Sequence, residues 1–214
     1  MNEPLSAPLP IRSPCRRLCH VVAGGCPACG RSVQEIQNWL FYTPERRDQI
    51  IDHELALRQG LRAGVAVSAR GRRLGPQDAP AVQAHFLALT PDDLQQRFGH
   101  VLNEAAVARW VNGLDWGGQW LWGLEGVDGL QALAHLSPTG SAHAWELGLS
   151  VRSEARRQGL AKELLQAAQQ VSQALSLHGT LSMHGAAHNV ALRRLGEGGT
   201  VTLDRDRMDV RLTW

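Results

Sequence analysis

Arg156-Arg157-Gln158-Gly159-Leu160-Ala161 divides two runs of opposite character. The residues before it, Ala144-Trp-Glu-Leu-Gly-Leu-Ser-Val151, read as a strand, and residues 160–175, rich in Ala, Leu and Gln, read as a helix. A glycine-bearing turn between a strand and a helix start leaves several backbone N–H groups unpaired and pointing one way. With the positive end of the helix dipole, those donors form a seat for a phosphate or diphosphate. Gly159 lets the backbone approach the anion, Ala161 keeps the entrance small, and Arg156 and Arg157 add charge that does not titrate away. Many ordinary strand-to-helix turns look similar, so the surroundings of the hexad decide its meaning.

Those surroundings have a definite order. Glu146 sits on the strand, ten residues before Arg156. A second short strand reads at 179–184, and Asn189 then opens a helix over 189–195. The hexad fits the pattern [Gln/Arg]-x-x-Gly-x-[Gly/Ala], and residues 82–214 resemble the GNAT superfamily of acyl-CoA N-acyltransferases. The resemblance implies that acetyl-CoA is the cosubstrate. Its diphosphate would be held by Arg156, Arg157, Gln158, Gly159, Leu160 and Ala161. The pantetheine arm would meet backbone groups from Leu149 to Val151, where the sheet splays, and Asn189 would add a further contact. Asn189 is also readable as the N-cap of its helix. Glu146, mid-strand in an apolar run, becomes the general base, directly or through water; its other reading is a structural acid paired to an arginine. The acceptor would be an amine on a small molecule or a protein.

One departure from the family stands out. Members often carry a tyrosine after the asparagine to protonate the leaving thiolate, yet the single tyrosine here is Tyr42, far upstream. His184, His188 or water remain as substitutes. Two functional classes therefore stay open: an N-acetyltransferase, and a non-catalytic acyl-CoA sensor whose cysteine module contacts a partner.

The rest of this segment reads as a strand over 82–89, then a helix start at Thr90-Pro91-Asp92-Asp93. Phe98, Leu102, Val107, Trp110 and Val111 suggest two successive amphipathic helices. Residues 118–125 and 130–136 alternate as antiparallel strands about a turn at 126–129, and strands at 200–203 and 208–214 close the sheet. The expected fold is α+β or α/β: a GNAT-like mixed, largely antiparallel sheet flanked by helices. Trp120, Trp122 and Trp145 read as core, and Trp116 as the best candidate to line an acceptor site.

All four cysteines lie between Cys15 and Cys29, spaced Cys-x3-Cys-x6-Cys-x2-Cys. In a reducing compartment such clustering points to a metal, with Cys15, Cys19, Cys26 and Cys29 as a tetrahedral sulfur set. Structural zinc, an iron–sulfur cluster and no metal are all compatible with thiolates at this spacing. Ser32-Val-Gln-Glu35 reads as a capping box, with Ile36, Trp39 and Leu40 on one helix face. A second helix starts at Thr43-Pro44-Glu45, with Ile50, Ile51 and Leu55 as its stripe. Residues 13–57 resemble a short bacterial family of unknown function labelled as iron–sulfur proteins. The resemblance rests on the cysteines, Cys29-Gly30-Arg31, Glu35-Ile36, Trp39 and Glu45-Arg46-Arg47. So residues 1–57 are expected to be a small metal-stapled helical module, 58–81 a flexible basic linker, and 82–214 the acyl-CoA-binding domain.

Bulk properties narrow the rest. At 214 residues, with 43% hydrophobic and 20% charged content, the chain has room for one ordinary domain plus a small module. A net charge of +2 provides no large field for nucleic acid, which is not an expected partner. No window approaches the roughly 18 continuous apolar residues of a membrane span, and no secretion signal opens the chain. A cytoplasmic, membrane-free protein is the expectation.

Overall fold

The computed structural model describes residues 11–17, 25–26, 28–139, 144–175, 180–197, 199–204 and 207–213. The chain forms two compact units, residues 1–59 and 60–214.

The first unit carries α1 (Val33–Asn38) and α2 (Pro44–Gln49), followed by a single wide turn over Ile50–Glu54 that leads into α3 (Leu55–Ala63). Ser32 and Glu35 form the expected capping box. Of the expected face of α1, Trp39 is buried and Ile36 half-buried, but Leu40 is not part of it. Helix α1 ends at Asn38, so Leu40 lies beyond it and is 71% exposed, while Glu35 and Trp39 are buried. Trp39, Ile50 and Leu55 form a small apolar cluster as expected, and a polar network lies beside it. Arg58 donates to both Glu35 oxygens at 2.6 and 2.9 Å, to Glu54 at 3.2 Å and to the Gly30 carbonyl at 3.3 Å. Arg46 also pairs with Glu54, and Arg31 lies 4.5 Å from the Trp39 ring centroid. Burial alone would raise the Glu35 carboxyl, but hydrogen bonds from Arg58 and Ser32 hold it below the ordinary carboxylate range.

The second unit is built on one seven-stranded sheet ordered β1-β2-β3-β4-β5-β7-β6. The strands are β1 (Arg72–Arg73), β2 (Trp120–Gly126), β3 (Gly129–Pro138), β4 (Ala144–Val151), β5 (Thr180–Ala186), β6 (Thr200–Asp204) and β7 (Arg207–Thr213). All neighbouring strands are antiparallel except β4 and β5. The helices are α4 (Ala79–Leu87), α5 (Pro91–Phe98), α6 (Glu104–Asn112), α7 (Leu160–Ala174) and α8 (Val190–Leu195). No helix among the described residues is long and apolar enough to cross a membrane.

The structure departs from the sequence pattern in two segments of this unit. Residues 82–89 are not a strand: Ala79–Leu87 is helical. Val82, His85, Phe86 and Leu89 are all buried, and their spacing of i, i+3, i+4, i+7 is helical rather than alternating. Nor are residues 70–81 a free linker. Arg72 and Arg73 pair with Gly123 and Trp122, Leu74 is buried, and the Trp122 indole donates to the Arg70 carbonyl at 2.8 Å. Three arginines and two glycines disguise a short edge strand whose ladder partner lies some fifty residues downstream.

Candidate functional site

The register between β4 and β5 is short. It runs from Ala144↔Thr180 through Glu146↔Ser182, whereas β4 stays paired with β3 as far as Val151 and β5 with β7 as far as Ala186. Beyond Glu146 the two central strands part. The edge of β4 at residues 147–151 thus offers backbone groups to a guest rather than to a strand, which is where Leu149 and Val151 were expected to act.

At the end of this open edge lies the hexad. Ala155 and Leu160 are buried and anchor the turn, while Arg156, Arg157, Gln158 and Gly159 are exposed. Arg157 and Gly159 both take left-handed backbone conformations, with φ of 62° and 81°. For arginine that conformation costs about 1–2 kcal/mol. Lys162 and Glu163 N–H groups both bond the Gly159 carbonyl, at 3.0 and 3.1 Å. The amides just before them lie outside the helical ladder and face outward at the helix start. A Cβ placed on Gly159 would meet nothing within 4 Å, so the space above the turn is open. The chemistry of this donor set suits a diphosphate. Arg156, however, is committed elsewhere: its guanidinium pairs with Asp93 on α5 and reaches the Val151 carbonyl at 3.4 Å.

Strand alternation places Glu146, Gly148 and Ser150 on the sheet face covered by α4 and α5. Ser150 Oγ contacts His85 Nε2 at 2.8 Å, and His85 Nδ1 donates to the Leu130 carbonyl at 3.0 Å. Because a carbonyl only accepts, Nδ1 carries the proton and Nε2 accepts from Ser150. Burial pushes the His85 pKa down, keeping the ring neutral. Glu146 is half-buried at the last paired position before the strands part.

Ser182 and His184 share this face from the β5 side. His184 Nδ1 lies 2.6 Å from Asp209 Oδ1 on β7, both side chains 31% exposed. The histidine is therefore oriented by a carboxylate, which its position at a strand end does not announce. His188 is exposed and lies outside this face. Asn189 is the N-cap of α8, accepting from Leu192 N at 2.9 Å, and its amide nitrogen donates to Gln96 at 2.6 Å. Trp116 packs against the core beneath α4 and α6.

Helix α5 ties these parts together. Asp93, Gln96 and Arg97, at i, i+3 and i+4, lie on one helix face. They reach Arg156 at the turn, Asn189 at the start of α8, and β4 at Gly148. Asp93 is recognisable in sequence as a cap, which it also is. The sequence has no local sign of the roles of Gln96 and Arg97, because their partners lie on strands and helices far along the chain.

Residues 86–196 match the acetyltransferase (GNAT) family. That is more than half of the chain. The protein belongs to the GNAT acetyltransferase family. Solved structures agree in fold: the GNAT domain of PAT from S. lividans, at 15% identity over 68% of this chain and 90% of that one, has a TM-score of 0.55. YncA from Salmonella typhimurium, solved with acetyl-CoA, is 17% identical over 68% and 94% of the two chains, with a TM-score of 0.51. PaiA N-acetyltransferase from Thermoplasma acidophilum, solved with coenzyme A, is 13% identical over 69% and 99%, with a TM-score of 0.50. Residues 13–59 match the family described as a protein of unknown function, DUF1289. No curated protein matches the chain in sequence.

The cysteine module gives a more limited picture. Cys26 and Cys29 are buried and bracket a tight turn, with Gly30 N bonded to the Cys26 carbonyl at 2.7 Å and Arg31 Nε to Cys29 Sγ at 3.4 Å. Cys15 is exposed, and Cys19 lies outside the described residues. Among the described residues, no three His, Cys, Asp or Glu side chains converge on a metal position. The expected zinc or iron–sulfur staple is therefore not assembled from what is described.

Proposed function

We propose that this GNAT-family protein is an N-acetyltransferase that moves the acetyl group of acetyl-CoA to an amine. The observation that carries the reading is the parting of β4 from β5 immediately after Glu146, with the Gly159 turn at the far end of the exposed β4 edge. When bound, acetyl-CoA supplies an activated thioester. The amides around Gly159, with the charge of Arg157, hold its diphosphate, and the backbone of residues 147–151 aligns the pantetheine arm. Acylation of an alkylammonium releases two protons from nitrogen: one ends on the CoA sulfur, the other in solvent. Glu146 takes the first, freeing the lone pair for attack. His184, its Nδ1–H donated to Asp209, presents Nε2 to receive the second and pass it to the thiolate. Backbone N–H groups on the open β4 edge stabilise the charge that develops on the carbonyl oxygen.

Replacement Glu146→Ala should abolish acetyl transfer while calorimetry still detects acetyl-CoA binding. Unchanged transfer by that variant would remove Glu146 from the mechanism, and absence of any heat from CoA or acetyl-CoA would end the reading altogether. The same experiment separates the non-catalytic sensor, which binds CoA equally well but releases no thiol with any amine. For the cysteine module, a four-sulfur metal site completed by Cys19 is retained as a proposal, supported by the buried Cys26-x2-Cys29 turn.

A further inference from the structure

Arg97 is a half-buried cation with no contacting counter-charge among the described residues. Its guanidinium leaves α5 and lies flat on β4 at Gly148, so close that a Cβ built there would stand 2.1 Å from Cζ. Only a glycine leaves room for it. Arg97 Nη2 contacts His135 Nδ1 at 3.3 Å, and His135 Nε2 contacts Gln119 Oε1 at 3.1 Å. Since a guanidinium only donates, Nδ1 is the bare nitrogen and Nε2–H is given to Gln119. His135 is thus a neutral acceptor, held so by its burial and by the charge of Arg97, and it neutralises nothing. The Phe98 ring flanks the group, its centroid 5.0 Å from Cζ. Arg97 Nε is fully buried without a hydrogen-bond partner. Glu146 attracts the guanidinium through space but forms no ion pair with it. A guanidinium whose Nε is shut off from water normally sits against a carboxylate or phosphate, because desolvating a lone charge is expensive.

We infer that Arg97, seated over Gly148 and set by His135 and Gln119, is the anchor for a carboxylate carried into the gap between β4 and β5 beside Glu146. This inference rests on the acyl-transfer reading and specifies its substrate. Gly148 and Glu146 are two residues apart on one face, roughly 7 Å along the strand. A carboxylate on Arg97 and an amine near Glu146 are therefore separated by an amino-acid-sized span. Two molecules bring a carboxylate to this point: an amino-acid acceptor, or a dicarboxylic acyl group such as succinyl on CoA.

The test titrates the full-length protein, with and without CoA, against the common L-amino acids and the matching amino-acid amides, and separately compares succinyl-CoA with acetyl-CoA. Calorimetry reads the affinities. One arm should show the carboxylate bound and its neutral analogue weaker by roughly 10- to 100-fold. The arm that responds identifies the source. Arg97→Gln should erase the difference between acid and amide, or between succinyl and acetyl, while Arg97→Lys keeps part of it. A second measurement separates ligand binding from a structural role: Arg97→Met should melt at or above the wild-type temperature without ligand, since it removes a half-buried charge with no counter-charge in contact. CoA binding with no carboxylate preference in either arm, or a wild-type preference that survives Arg97→Gln, overturns the inference and leaves the acyl-transfer reading standing. No heat from CoA in the parent protein defeats that reading first. A lowered melting point for Arg97→Met assigns the arginine to the fold instead.

Discussion

Gly159→Ala offers the sharpest test of the diphosphate seat, because the structure supplies its own control. Gly159 has φ 81° and ψ 0°, and Gly99, at the end of α5, has φ 78° and ψ −6°. A Cβ at either position would meet nothing within 4 Å. Both alanine variants therefore carry the same backbone penalty, about 1–2 kcal/mol, with no clash added. For a domain of this size that lowers the melting temperature by roughly 2–8 °C in each. The two differ in what the new methyl group covers. At Gly99 it faces solvent beyond a helix end; at Gly159 it occupies the open space over the amides that begin α7. Losing two hydrogen bonds to a charged phosphate costs about 3 kcal/mol or more, a hundredfold or greater loss of affinity. Calorimetry with CoA, beside thermal melts of both variants, should find matched destabilisation and a binding loss confined to Gly159→Ala. Equal CoA affinity in the two would refute the assignment of the turn as the anion seat.

Other consequences follow from the same geometry. His184→Asn retains a donor to Asp209 but loses Nε2, so acetyl-CoA turnover should fall roughly 100-fold or more while CoA affinity holds; an unchanged rate would exclude the proton relay. His135 has its pKa pushed down to about 3, by burial first and then by Arg97. Because this folded value lies below the unfolded one, the stability it contributes is whole above about pH 6.5 and drains away as pH falls toward 3. Imidazole NMR that finds His135 titrating near 6.5 would contradict the buried site. The lowered Glu35 carboxyl acts in the same sense at lower pH: its stabilisation is present above the ordinary carboxylate value and is lost on further acidification, and Glu35→Gln should remove that dependence from acid melts. For the cysteine module, elemental analysis and a visible spectrum should find bound metal, colourless if zinc and coloured if iron–sulfur, and a metal-free, fully folded protein would end that proposal.

The elements around the hexad and the helix caps were legible in the sequence because they obey local rules. The hexad, the strand before it and the helix after it are contiguous, and the left-handed Gly159 lies where the motif places it. Thr90 and Asn189 cap their helices through bonds to residues three positions on, a reach that residue type and spacing predict. Residues 82–89 carry a false strand signal because Val82, Ala84 and Phe86 alternate by chance, while the buried set follows the helical period. The edge strand at Arg72–Arg73 was hidden because two arginines have no strand signature; only pairing with β2 makes them one.

The tertiary structure decided which groups meet. Arg97 and His135 are 38 residues apart, Gln96 and Asn189 are 93, and Arg156 and Asp93 are 63. None of these pairs has a sequence signal, because each depends on α5 crossing the mouth where β4 leaves β5. Short-range propensity and capping chemistry act within a turn or two of the chain. Counter-charges, tautomers and a half-buried arginine whose Nε has no partner exist only once distant segments share one sheet face.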